Sequence, residues 1–261
     1  MRFQIEADHE AMSRCAAALI LEELEKTPDL VLVAASGATP RRTYELVASS
    51  DRAKIGSSAG SPIRVVKLDE WLGLAPDDPA TCDRDLLTCL LQPLKIPPHN
   101  YLGFQPDPDD PEQECTRIRE ALAAIGRIDL CVLGIGTNGH LGFNEPGDSL
   151  PAFAHVAELS ATSLRHGMLQ AARSQPRGGL TLGMAEILSA RRILLLASGP
   201  HKRGPIQTLA SARLSTQFPA SFLWLHDDVW CVLDREAAGS IADRKNPCEA
   251  GLTIPAPGCL R

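Results

Sequence analysis

Aromatic side chains are scarce in this sequence: phenylalanine, tryptophan and tyrosine together make up 4% of it. A surface that stacks bases or sugar rings needs several of them, so neither is expected. Basic residues are not in excess either. Lys and Arg number 26 against 32 Asp and Glu, for a formal net charge of −6, which argues against a nucleic-acid footprint. Apolar runs such as residues 193–197 fall far short of the roughly 20 residues that span a bilayer, so no membrane partner is expected.

Metal and disulfide patterns are also missing. The eight cysteines are Cys15, Cys82, Cys89, Cys115, Cys131, Cys231, Cys248 and Cys259. None forms a Cys-x-x-Cys pair, and no Cys/His cluster has zinc spacing. Cys131 and Cys231 lie inside apolar runs, where a thiol serves as a small hydrophobe. The expectation is free, mostly buried thiols in a reducing cytoplasm. The first residues carry Glu6, Asp8 and Glu10 and lack the basic-then-apolar order of a secretory signal.

What is present is a chain of 261 residues, 44% hydrophobic, enough for one large α/β domain. Residues 1–5 read as an edge strand. Residues 30–35, 63–68, 128–133, 192–197 and 229–233 read as strands, several of them apolar throughout, as expected of strands buried on both faces; 222–225 reads as a further short strand. Helices are expected over 9–24, from Pro40 onward, and over 83–91, 112–125, 180–188 and 202–212. Residues 97–111 read as a proline-rich loop. Strands alternating with helices imply a single doubly wound, mostly parallel sheet with helices on both faces, Rossmann-like in type. The domain is expected over residues 1–236, with a loose tail over 237–261 where the hydrophobic pattern fades.

Ligands of such sheets bind outside the carboxyl ends of the strands, and four of those ends carry unusual polar sequence. Ser36, Gly37, Ala38 and Thr39 lie between a strand and a helix, where small residues and a helix N-terminus suit an anion. The plain alternative is a capped turn with Thr39 as N-cap and Pro40 at the first helical position. Asp69 and Glu70 form an acidic pair at a second end; either could act as a general base or as a cap. Residues 134–139 match Gly-x-Gly-x-x-Gly, but Gly142 and Pro146 interrupt the helix that a dinucleotide site requires, so no nicotinamide cofactor is expected. His140 and Glu145 share that loop and could transfer protons near neutrality, or His140 could simply bind backbone carbonyls. Lys202 follows a glycine–proline turn and could neutralise a phosphate or stand in solvent.

Together these segments resemble the glucosamine-6-phosphate deaminase/6-phosphogluconolactonase superfamily, over residues 10–235. The most specific piece is Gly139-His-Leu-Gly-Phe-Asn-Glu-Pro146, which is similar to the aminosugar-phosphate deaminases. Residues 138–147, 166–169 and 219–226 look closer still to the galactosamine-6-phosphate isomerase branch. The resemblance implies an aldose–ketose isomerisation coupled to loss of ammonia, with tagatose 6-phosphate as product if the substrate is galactosamine 6-phosphate. Position by position, it implies that His140 opens the sugar ring, Glu145 orients His140, and Asp69 moves the proton between C2 and C1. Ser36, Gly37, Ala38, Thr39 and Lys202 would hold the phosphate, and no metal or organic cofactor is implied.

Three departures from that pattern stand out. Asn138 replaces an aspartate, so an amide, which can hold an imidazole in place, stands where a carboxylate would stabilise its cation. The family's phosphate-binding arginine falls on Leu169, with Arg165 and His166 as nearby substitutes. The basic residues that bind an N-acetylated effector are absent from residues 155–158, which makes a monomer or small homo-oligomer the expectation. A glucosamine-6-phosphate deaminase, a 6-phosphogluconolactonase and a non-catalytic sugar-phosphate sensor are the alternatives. The last should lack the acid–base set that this chain keeps.

Overall fold

The computed structural model describes residues 1–54 and 62–243. The first half runs β1 (Arg2–Glu6), α1 (His9–Lys26), β2 (Val31–Ala34), α2 (Ala38–Ser49), β3 (Arg64–Lys67), β4 (Asp69–Leu72), α3 (Cys82–Leu86), β5 (Tyr101–Leu102) and α4 (Pro111–Ile125). The second half runs β6 (Leu130–Gly134), β7 (His155–Ala157), β8 (Gly178–Thr181), α5 (Met184–Leu188), β9 (Arg192–Ala197), α6 (Arg203–Leu209), β10 (Val229–Asp234) and α7 (Arg235–Ala238). Local signals explain the long helices. Asp8 caps α1 by accepting the Ala11 N–H at 2.8 Å, and Asp110 caps α4 ahead of Pro111, with Gly126 closing it in the left-handed conformation. These are the expected start and stop residues.

Seven strands form one sheet in the order β1-β10-β9-β6-β2-β3-β5, and every pair in it is parallel. Alternate residues face opposite layers, as the two-residue repeat of a strand requires. Val33, Cys131, Leu195 and Cys231 pack toward α4, α5, α6 and α7. Leu32, Val132, Leu194 and Val232 pack toward α1 and α2. The sheet is thus doubly wound. Its winding reverses between β2, whose successors build outward to β3 and β5, and β6, whose successors build the other way to β9 and β10. Loops leaving that junction diverge and open a crevice.

Several local expectations are corrected. Asp69 and Glu70 do more than follow the end of the strand over 63–68: with Trp71 and Leu72 they form β4, part of a separate antiparallel sheet in the order β4-β8-β7. Residues 180–188 are not one helix. β8 precedes α5, because its backbone groups pair with β4 and β7 on either side. Residues 222–225 are not a strand but part of a 3-10 segment, Pro219–Leu225, anchored by the Trp224 indole donating to the Leu209 carbonyl at 2.8 Å. The proline-rich loop contributes β5, which pairs with β3.

Thr39 is not the N-cap of α2. Gly37 is, at φ 101°, so the helix begins earlier and Ala38 and Thr39 lie in its first turn. The expected loose tail does not begin at 237: Ala237, Ala238 and Ile241 are buried in the main core. Residues 244–261, with Cys248 and Cys259, lie outside the described residues. The other six cysteines are free thiols, and five of them are buried.

Leu195 stands at the centre of the sheet on β9 and is fully buried. Leu195→Ala should lower the unfolding free energy by about 3 kcal/mol. A urea titration should show the midpoint falling at unchanged slope.

Candidate active site

The crevice is a cavity of about 810 Å³ at the carboxyl edge of the large sheet. Ser36, Gly37, Ala38 and Thr39 line it from the β2–α2 turn, Asp69 from β4, His140 from the loop after β6, and Lys202 from the turn after β9. Sequence-distant residues therefore meet at one place. Asn138 and Glu145 do not line the cavity; they stand behind His140.

Asp69 and Glu70 are adjacent on a strand and so point to opposite faces. Glu70 is fully buried and all of its acceptor capacity is used. Oε1 accepts the N–H groups of Trp71 at 2.8 Å and Cys82 at 2.9 Å. Oε2 accepts Asp83 N–H at 3.0 Å and the Lys67 ammonium at 2.7 Å. It joins β4 to the start of α3 and has no freedom to exchange a proton with a ligand. Asp69 faces the cavity. Burial, reinforced by the Glu70 charge, pushes its carboxyl up to about 7, against the opposing pull of Lys67 and of the Cys82 thiol. Such a group is poised to take and return a proton near neutrality.

His140 is held by the tight loop that follows β6. Gly136 makes room for it: a Cβ there would lie 2.5 Å from the imidazole. Gly139, at φ +88°, closes the turn, and a Cβ there would lie 2.2 Å from the Phe218 ring. His140 Nδ1 is 3.3 Å from Glu145 Oε2, which leaves the other ring nitrogen for a ligand. Asn138 does not touch the imidazole. Its amide donates to Glu145 Oε2 at 2.8 Å, and its carbonyl accepts the His140 N–H at 3.2 Å. Ser163 donates to Glu145 Oε1 and lies 3.4 Å from His140 Nδ1, and Ser160 donates to the same oxygen at 3.1 Å. Burial alone would raise the Glu145 carboxyl, but His140, Ser163 and Asn138 together hold it down at about 2. A carboxylate accepting this many donors stays ionised.

The β2–α2 turn and Lys202, which also line the cavity, suit an anion. The N–H groups of Ala38 and Thr39, in the first turn of α2, have no intrahelical acceptor. Gly37 differs: its N–H donates to Asp85 Oδ2 at 2.7 Å, so it shapes the turn and offers no donor. Lys202 donates to the Ile135 carbonyl at 2.6 Å, and burial lowers its pKa. Asp234 fixes the turn that carries it by accepting the Gly199 N–H. Arg165 and His166 both line the cavity, whereas Leu169 joins the apolar cluster around Trp71. His166 lies against Trp71 with ring centres 5.8 Å apart and the rings tilted by 42°. Among the described residues, no group of three or more His, Cys, Asp or Glu could hold a metal ion.

The sequence carries no local signal that brings Ser160, Ser163 or Asp85 to the site. The Ser-x-x-Ser spacing of the first two was visible, but nothing local ties them to Glu145, and Asp85 reaches Gly37 from 48 positions away.

A doubly wound parallel sheet with a carboxylate, an imidazole, a lysine and a helix N-terminus lining one crevice defines a class of α/β proteins that hold ligands at the carboxyl edge of the sheet. Residues 7–231 match the model of the family described as glucosamine-6-phosphate isomerases/6-phosphogluconolactonase. AgaI of Escherichia coli (strain K12), described as a candidate deaminase, is 38% identical over 87% of this chain and 89% of its own. The glucosamine-6-phosphate deaminase of Thermoanaerobacter sp. (strain X514) is 34% identical over 93% and 96%. A solved structure of a monomeric glucosamine-6-phosphate deaminase superposes with a TM-score of 0.83 at 35% identity, over 91% of this chain and 99% of that one. The 6-phosphogluconolactonase of Trypanosoma brucei shares the fold, with a TM-score of 0.73 at 20% identity over 91% and 97%. The chain belongs to the glucosamine-6-phosphate isomerase/6-phosphogluconolactonase family, as an enzyme of its aminosugar-phosphate isomerase/deaminase side.

Asp69 gives a stability test with a definite sign. Its folded pKa lies above its unfolded one, so the folded state binds the extra proton and loses stability as pH rises from about 4 through about 7. Asp69→Asn should therefore unfold with roughly 2–4 kcal/mol more free energy than the wild type at pH 8. Below about pH 4 the two proteins should coincide. Chemical denaturation at both pH values checks it.

Proposed function

We propose that this enzyme converts galactosamine 6-phosphate to tagatose 6-phosphate and ammonia. The observation that carries the reading is the placement of Asp69 and His140, the latter backed by Glu145, on one cavity that is also lined by Lys202 and the N-terminus of α2. The galacto configuration rests on the resemblance of residues 138–147, 166–169 and 219–226 to the galactosamine-6-phosphate isomerase branch.

In this reading the phosphate sits against the Ala38 and Thr39 N–H groups, the Ser36 and Thr39 hydroxyls and the Lys202 ammonium. His140 moves a proton to the ring oxygen as the pyranose opens, and the ionised Glu145 stabilises the imidazolium that forms when His140 takes a proton back. The open aldehyde acidifies the C2 proton. Asp69 takes it and returns it to C1, which leaves an iminium at C2; water adds there and ammonia departs. Asn138 serves the step indirectly. An aspartate in its place would set a second carboxylate against Glu145 Oε2, whereas the amide donates to it and keeps that oxygen available to His140.

The deciding assay compares galactosamine 6-phosphate with glucosamine 6-phosphate, following ammonia and ketose together. A kcat/KM at least about tenfold higher for the galacto substrate is expected, a difference of about 1.4 kcal/mol in transition-state binding. The opposite ranking would make it a glucosamine-6-phosphate deaminase, and hydrolysis of 6-phosphogluconolactone without ammonia release from either would make it a lactonase. Asp69→Asn should lower kcat by about a hundredfold or more with little change in KM, and Glu70→Gln should do much less. The wild-type rate should fall below about pH 7 as Asp69 becomes protonated.

Saturation should be hyperbolic and insensitive to an N-acetylaminosugar 6-phosphate. Residues 155–158 supply no lysine or arginine, and the exposed Glu158 would repel a phosphate by about 1 kcal/mol or more at a hydrated surface. Without an effector site a monomer or small homo-oligomer suffices, as in the monomeric deaminase of similar structure. A Hill coefficient above one that falls when the N-acetylated compound is added would refute this.

A further inference from the structure

The steps proposed above make no use of Lys67. It ends β3 with its side chain shut from solvent, and burying an ammonium is unfavourable unless every donor finds an acceptor. Here the acceptors are present. Nζ donates to Glu70 Oε2 at 2.7 Å, to the Phe104 carbonyl at 2.6 Å and to Asp83. Asp83 in turn accepts the Tyr101 hydroxyl. Burial works against the lysine's proton, but the charges of Glu70 and Asp83 overcome it and raise its pKa above the ordinary value. None of these four side chains reaches the cavity, yet Glu70 is bonded directly to the residue that does.

We infer that Lys67 is a positioning residue for Asp69: its ammonium ties Glu70, Asp83 and the Phe104 carbonyl into one buried knot, and that knot sets where Asp69 sits and how much negative charge it feels. The inference rests on the proposed role of Asp69 as the C2 base. Its geometric part is direct. Glu70 joins β4 to α3 through the Trp71, Cys82 and Asp83 N–H groups, and it keeps that posture only while its charge is met by Lys67.

The electrostatic part follows from what surrounds Asp69. Glu70 on its own strand adds negative charge, and Lys67 on β3 opposes it. Cys82 on α3 adds a thiol hydrogen bond, and Asp83 lies behind it, already paired with Lys67. Tyr44 on α2 is neutral, held so by burial. Thr181 on β8 is the cross-strand neighbour, and His140 stands across the cavity. Lys67 is the one cation in this set that offsets Glu70. Without it Asp69 would keep its proton at neutral pH and could not accept another from carbon.

The test follows the wild type, Lys67→Met and Glu70→Gln by two measurements. One is the pH dependence of kcat/KM for ammonia release from the aminohexose 6-phosphate. The other is the 13C carboxyl titration of Asp69 without ligand, assigned as the resonance lost in Asp69→Asn. Lys67→Met should move the acid limb and the titration upward by about one pH unit or more, so that the rate at pH 6 falls at least about tenfold and recovers toward the wild type by pH 9. Glu70→Gln should move both downward. Folded variants with unmoved limbs and titrations would overturn the inference and leave Lys67 a packing group. If Lys67→Met does not fold, the downward movement in Glu70→Gln, or its absence, still decides. Failure of the wild type to release ammonia from any aminohexose 6-phosphate would instead overturn the proposed function, and the titration would still report on Lys67.

Discussion

The parallel pairing of β2 with β6 is the constraint on which the rest depends. Leu32, Val33 and Ala34 lie against Leu130, Cys131 and Val132, and on either side of that seam the chain winds in opposite directions. Two loops that leave adjacent strands for opposite faces cannot pack on each other, so a crevice opens. Ser36, Thr39, Asp69, His140 and Lys202 all line it. The β2–α2 turn brings a helix N-terminus to one side. The loop after β6 brings His140 to the other, held in place by two glycines because any Cβ there would strike His140 itself or Phe218.

The small antiparallel sheet supplies what the large one cannot. A parallel strand ends at its carboxyl edge, and a side chain facing the crevice from above has to be carried past that edge. β3 solves this by passing through Leu68 straight into β4, which pairs with β8 and carries Asp69 out over the crevice. The two-residue repeat then divides labour between neighbouring carboxylates: Asp69 turns to the cavity, and Glu70 turns inward to join β4 to α3. The same economy appears around Glu145, which accepts from Asn138, Ser160 and Ser163 and so remains a carboxylate beside His140. In both places a carboxylate is held by donors drawn from other elements, and its neighbour, Asp69 or His140, faces the cavity.

Much of this was legible in the chain itself. Apolar runs marked the buried strands because a strand covered on both faces has no polar side to show. The rule that ligands gather at carboxyl ends places Ser36, Asp69, His140 and Lys202 at one edge from the sequence alone. Short-range signals misled where partners lay far away. Leu180 and Leu182 look helical beside Ile187 and Leu188, but β8 takes its shape from β4, more than a hundred residues earlier. Thr39 looks like an N-cap, but the buried Asp85 carboxylate holds the Gly37 N–H and moves the helix start back.

By itself the sequence determined the doubly wound sheet, the edge on which chemistry gathers and the residue types found there, because periodicity, helix caps and glycine spacing act over a few residues. Only the tertiary structure decided which member of each pair faces the cavity. Asp69 and Glu70 are equal as letters; they part when Lys67, Cys82 and Asp83 converge on one and leave the other facing the cavity. Asn138 beside His140 reads as a weakened partner for an imidazole, and in the fold it is a donor to Glu145. Proton affinity is set by burial and by charges a few ångströms away, and those distances exist only once the chain has closed.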